Sequence, residues 1–139
     1  MRILWTDGSA NPNPGPGGYA VIEDGQPVAL GREAQSTNIR MEGAALIAAM
    51  KLLDGETGEI RTDSEFWKNV LTKWAPGWEK RGWKKSTPGE IQNLDLVKEA
   101  YMLYKNGDVK LTWVRGHVGT EMNETADEWA NKARKGATI

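Results

Sequence analysis

Apolar positions recur with two periods along this chain. Alternation dominates the first third. Arg2 to Asp7 reads as a strand closing on an aspartate, and Gly17 to Glu23 (GGYAVIE) reads as a second. Asp24-Gly25 is a hairpin turn into a third strand, over about Pro27 to Ala34. Strands joined this way run antiparallel. Helical spacing takes over from Thr37 to Leu53, where GAALIAAMKLL is apolar almost all round and predicts a centrally buried helix. Glu59 to Asp63 is a short strand. Phe66, Trp67, Val70, Leu71 and Trp74 follow at helical spacing, and Leu94, Val97, Tyr101 and Tyr104 mark another amphipathic helix. Asp108 to Arg115 alternates at Val109, Leu111 and Trp113. A glycine-flanked loop, Gly116 to Gly119, leads to a last helix from about Asn123 to Lys135, stopped by Gly136. The order βββαβααβα predicts an α/β domain whose mixed sheet is an antiparallel meander followed by strands returning through helices.

Composition sets the frame for this pattern. The 139 residues suffice for one domain with a real core, and 1–139 is read as a single domain. Hydrophobic content of 39% with 27% charged residues indicates a soluble globular chain. There is no long apolar run and no basic-then-apolar leader, so no membrane contact and a cytoplasmic location are expected. The absence of cysteine excludes disulfides and thiolate metal sites. A net charge of −1 argues against a general nucleic-acid coat protein. The distribution of charge says more. KWAPGWEKRGWKK, Lys73 to Lys85, carries a net +4 with Trp74, Trp78 and Trp83 interleaved. This predicts a basic, Trp-bearing protrusion over about 73–92, interrupted by Pro76, Gly77, Gly82, Pro88 and Gly89.

Four acids stand out by position. Asp7 and Asp63 each end a predicted strand, where sites collect in α/β sheets. Taken alone, Asp7-Gly8 is equally a turn, and Asp63 a helix-start residue beside Ser64. Glu42 lies early in the apolar helix and Asp127 in the last helix. Neither has a cation three or four residues away to make it an ordinary helix-face ion pair. If the four converge, each pair about 4 Å apart repels by roughly 4 kcal/mol at an effective dielectric of about 20. That is a large share of a typical stability of about 5–15 kcal/mol. Such a cluster stays ionised only around cations, and an all-oxygen donor set favours Mg²⁺ or Mn²⁺ over zinc. A pair of such ions suits phosphodiester hydrolysis.

The segments TDGSANPNPGPGGYA, STNIRMEGAA, RTDSEFW, WEKRGWK, WVRGHVG and NETADEWA, in this order over nearly the whole chain, resemble type 1 ribonuclease H of the bacterial or phage kind. The resemblance implies a ribonuclease H-like α/β fold: a five-stranded mixed sheet, strands 1–3 an antiparallel meander, strands 4–5 parallel to strand 1, and helices on both faces. It implies an endoribonuclease that uses Mg²⁺, with Mn²⁺ as a substitute, to hydrolyse the RNA strand of RNA–DNA hybrids to 5′-phosphate and 3′-hydroxyl ends. Asp7, Glu42, Asp63 and Asp127 match the catalytic, metal-binding carboxylates. His117, the only histidine, matches a mobile-loop histidine that transfers protons or assists product release. Asn13 and Asn38 match minor-groove contacts, and Thr37 and Asn93 a pocket for a DNA-strand phosphate. Trp74 and Trp83, with Lys80, Arg81, Lys84 and Lys85, match the basic segment that grips the DNA strand. Trp5, Trp67, Trp113 and Trp129 sit in strand or helix patterns and are expected in the core.

Two positions depart from the family pattern. Ile39 stands where a second Asn is usual, and Glu65 where Gln is common. Rival readings remain a catalytically silent hybrid-binding module, another nuclease of the same fold, and a non-enzymatic metal-binding domain. The complete carboxylate set weighs against the first, and the basic Trp segment against the other two. No obligate protein partner is evident, and a monomer is the default expectation.

Overall fold

Alternation along the first strand sends Leu4 to one face of a sheet and Trp5 to the other, and each face meets its own helix layer. The computed structural model describes residues 1–115 and 121–139. Its strands are β1 (Arg2–Ala10), β2 (Gly15–Glu23), β3 (Gln26–Ser36), β4 (Gly58–Thr62) and β5 (Val109–Trp113). They form one sheet in the order β3-β2-β1-β4-β5. β1 and β3 run antiparallel to β2, while β4 is parallel to both β1 and β5, as the resemblance implies.

On one face Leu4, Val21, Ile60 and Leu111 pack with Leu46, Ala49 and Leu53 of α1 (Asn38–Leu53) and with Val97 and Ala100 of α4 (Leu94–Asn106). On the other, Trp5, Ala20 and Ile22 meet Ala126 and Ala130 of α5 (Glu121–Arg134). α1 is largely buried on several sides, which accounts for its nearly continuous apolar sequence. α5 comes so near β2 that a Cβ on Gly18 would strike the backbone of Ala130 and Arg134. Small residues at this crossing let helix and sheet touch.

Three expectations are revised. β1 does not end at Asp7. It continues to Ala10 because β2 goes on pairing with it as far as Ala10↔Gly17, whereas the ladder with β4 stops at Thr6↔Thr62. Pro76 and Gly77 do not break the second helical stretch. α2 (Glu65–Asn69) passes through a π-helical turn, Val70–Trp74, into α3 (Ala75–Lys80). The wider turn is closed by the Ala75 N–H on the Val70 carbonyl. Pro76 then falls in the first turn of the next α segment, where its missing N–H has no bond to forfeit. Finally, Trp113 is not a core residue. β5 is an edge strand, and Trp113 at its end is 37% exposed. Trp5 and Trp67 are buried, and Trp129 is half-buried against the α5 cluster. Among the described residues no helix is long and apolar enough to cross a membrane.

Candidate active site

The carboxylates gather where the parallel ladder of β1 and β4 runs out. Asp7 is the first β1 residue beyond that ladder, and alternation places it on the Trp5 side, facing α5. Asp63 follows the last residue of β4 and precedes Ser64, the N-cap of α2, whose hydroxyl accepts from Trp67 N–H at 3.2 Å. Glu42 stands in the second turn of α1, whose N-cap Thr37 accepts from Arg40 N–H at 3.1 Å.

Two contacts set how close Glu42 comes. A Cβ on Gly8 would collide with the Met41 carbonyl group and the Glu42 nitrogen, so glycine is what allows the first turns of α1 to lie on β1 beside Asp7. The buried Trp67 then ties α2 to the same helix end, donating from Nε1 to the Ile39 carbonyl at 2.7 Å. Asp7-Gly8 is therefore neither turn nor loop. It is a carboxylate next to a point of backbone contact within one strand.

Carboxylate oxygens of Asp7, Glu42 and Asp63 all lie within 4.8 Å of one another. Asp127, on α5, acts on Asp7 through a hydrogen bond and through its charge. Burial is the largest influence on Asp7, followed by the charge of Asp63 and then by Asp127. The Gly8 N–H opposes them only in part, and the carboxyl is pushed up to about 9. Burial also raises Glu42, to about 7; a Ser64 hydrogen bond works against this and the Asp63 charge adds to it. No lysine or arginine is among the described groups acting on either acid. Crowded, buried carboxyls whose ionisation is opposed by burial and by each other's charge, and that offer only oxygen, fit a hard divalent ion.

The remaining predicted residues fall into three groups. Asn38 accepts from Ala10 N–H through Oδ1 at 2.7 Å, and Asn13 accepts from Asn38 N–H at 3.1 Å. Both carbonyl ends are thus committed to the backbone, and among the described residues neither Nδ2 has a hydrogen-bond acceptor. Thr37 and Asn93 converge on Arg40, which donates from its backbone to the first and from Nη1 to the second at 3.2 Å. Asp95 holds the Arg40 guanidinium with two bonds, at 3.1 and 2.9 Å. Arg40 itself was not singled out from the sequence. Its place three residues after Thr37, within one helical turn, is the signal that could have found it.

The basic segment divides. Trp74 is 42% exposed and lies 6.1 Å from Trp78 between ring centres. With Phe66, Lys73, Arg81 and Lys85 these rings line a groove of about 560 Å³. Lys80 and Lys84 are exposed nearby. Trp83 instead turns inward: it is half-buried, 6.0 Å edge-on from Tyr101 of α4, with Lys98 over its ring. Trp78 and Phe66 were missed as groove residues, although Trp78 stands one helical turn from Trp74. His117 lies outside the described residues.

Comparison with known proteins agrees with this geometry. The RNase H family profile matches residues 1–135. The chain is 42% identical to a ribonuclease H of Polynucleobacter asymbioticus, covering 94% of this chain and 87% of that one. It is 41% identical to a ribonuclease HI of Neisseria meningitidis serogroup B, over 93% and 92%. Among solved structures it is similar to LC9-RNase H1, described as a type 1 RNase H with the type 2 active-site motif. That match has a TM-score of 0.80, 29% identity, and coverage of 99% of this chain and 74% of that one. It is also similar to RNase H1 of Halobacterium salinarum, with a TM-score of 0.66, 28% identity and 98% of each chain covered. With the sheet order, the carboxylate cluster and the profile in agreement, the chain belongs to the RNase H family.

Proposed function

We propose that this chain hydrolyses the RNA strand of RNA–DNA hybrids, leaving 5′-phosphate and 3′-hydroxyl ends. The observation that carries the reading is the set of three carboxylates within 4.8 Å. Two unit charges at that spacing repel by about 3 to 4 kcal/mol at an effective dielectric of about 20. Asp7, Glu42 and Asp63 would hold divalent cations, Mg²⁺ or in its place Mn²⁺, with Asp127 completing the set beside Asp7. When bound, such ions polarise phosphoryl oxygens and lower the pKa of water. His117 is assigned proton transfer or release of product.

Selection of the hybrid belongs to the surroundings of the cluster. Asn13 and Asn38 present amide donors to the minor groove, where 2′-hydroxyls distinguish RNA from DNA. Asn38 stands four residues from Glu42 on the same helix, so a contact there sets the RNA backbone relative to the carboxylates. Thr37 and Asn93 receive a phosphate of the DNA strand. Trp74, Lys80, Arg81, Lys84 and Lys85 hold that strand by charge and by aromatic contact, and Trp83 anchors their loop to α4. We read residues 1–139 as one domain acting as a cytoplasmic monomer.

The test is a labelled RNA–DNA hybrid, duplex DNA and duplex RNA, each incubated with Mg²⁺ or with chelator. Cuts confined to the RNA of the hybrid, and present only with metal, are expected. Hybrid binding without cleavage would replace this reading with that of a silent binding module, and cleavage of duplex DNA with that of another nuclease.

A further inference from the structure

An exposed tryptophan at the end of an edge strand asks for a reason, since its ring contributes little to the core from there. Trp113 donates from Nε1 to the main-chain carbonyl of Asp63 at 3.1 Å. The same short stretch is held at three other points. Val114 N–H donates to the Thr62 carbonyl at 2.8 Å. Ser64 N–H donates to the Thr62 hydroxyl at 3.1 Å, and the Ser64 hydroxyl caps α2. Three of these four bonds fasten Thr62 and Ser64, the residues flanking Asp63. The Trp113 bond fastens the peptide of Asp63 itself, just where the chain leaves β4 and turns into α2.

We propose that Trp113 is a positioning residue for the metal site: its indole N–H fixes the Asp63 peptide and so sets the direction from which the Asp63 carboxylate meets Asp7 and Glu42. This rests on the reading of those three acids as ion ligands. Groups that orient a ligand typically change metal affinity or activity by about 10- to 100-fold when removed. A bond to the ligand's backbone belongs at the lower end of that range, because the carboxylate keeps its own rotamer freedom.

Two substitutions separate hydrogen bonding from packing. Trp113→Phe keeps an aromatic ring and loses the donor. Trp113→Gln loses the ring but carries an N–H the same number of bonds from Cα as the indole nitrogen. Mn²⁺ affinity is measured by titration calorimetry on the protein without nucleic acid, alongside the metal concentration that half-saturates hybrid cleavage. The expected result is about tenfold weaker Mn²⁺ binding in Trp113→Phe, with Trp113→Gln nearer the wild type, whatever the two do to Tm. Equal Mn²⁺ affinity in the wild type and Trp113→Phe, or a Gln variant weaker than the Phe variant, would overturn the proposal. The underlying assignment fails separately: if Asp63→Asn binds Mn²⁺ as the unaltered protein does, these acids are not the ion site and Trp113 has nothing to position.

Discussion

At Asp7 burial and like charge both work against ionisation of the side chain. The residue is buried and faces Asp63 and Asp127, and burial with those neighbouring charges pushes its carboxyl up to about 9. Replacing it by Asn removes the group that resists ionisation while preserving shape. Asp7→Asn is therefore expected to abolish turnover and yet raise the Tm of the metal-free protein at pH 8. A gain of about 1 kcal/mol corresponds to roughly 4 °C in a chain of this size; calorimetry in chelator checks it, and a lowered Tm would contradict it. Asp63→Asn is expected to abolish turnover as well, with the fold intact by circular dichroism. Glu42 and Asp127 could be singled out in the sequence because neither has a cation one helical turn away, and Asp7 and Asp63 because each closes a strand-like run, although β1 in fact continues past Asp7; the family resemblance joined the four. What surrounds them could not be singled out in this way. The Asn13 and Asn38 oxygens bind backbone groups from segments far apart in the chain, and no spacing rule announces that Trp113 reaches the Asp63 carbonyl.

The elements were read correctly in kind and order, since hairpin chemistry at Asp24-Gly25 and the change from alternation to helical spacing are local signals. Their limits depended on neighbours. β1 reaches Ala10 because β2 pairs with it there, and the stretch from Glu65 to Lys80 survives Pro76 because a π-helical turn resets its hydrogen bonding. Gly8 shows the same dependence: in the sequence it looks like half of a turn, and in the structure it is the contact between β1 and α1. Gly8→Ala is expected to lift α1 from the sheet, lowering stability by about 1 to 3 kcal/mol, the usual range for overpacking. Mn²⁺ affinity should fall with it, because Glu42 is carried on the displaced turn. Urea denaturation and calorimetry test both halves; an unchanged midpoint would show that the helix yields at no cost. In the basic segment, neutralising Lys84 and Lys85 together should weaken hybrid binding and reduce the salt slope by about 1 to 2, as expected for two lost phosphate contacts. A slope that stays the same would make these lysines a solvated loop.

For the molecule as a whole, the cluster couples stability, acidity and metal. Glu42 and Asp7 have folded-state values of about 7 and about 9, both above what a carboxylate shows in an unfolded chain, about 4. Between these limits the native state binds more protons than the unfolded state, so stability falls as pH rises. The contribution is complete below about pH 4, is reduced as pH passes through 7, and is lost through 9. Divalent ions take the ionised form and must release those protons to bind. Two consequences can be measured on the same samples. In chelator, Tm should decline steadily from pH 5 to pH 9, after the contribution of other groups is removed by comparison with Asp7→Asn. In Mg²⁺ the decline should be much smaller, so the gap between the two curves widens with pH, because ligand stabilisation grows as competing protons leave. Calorimetric titration at pH 6.5 in buffers of different ionisation enthalpy should show net proton release on Mg²⁺ binding, and less of it at pH 9. A gap that is constant from pH 5 to 9, with no buffer dependence, would mean that the acids holding the protons are not those holding the metal.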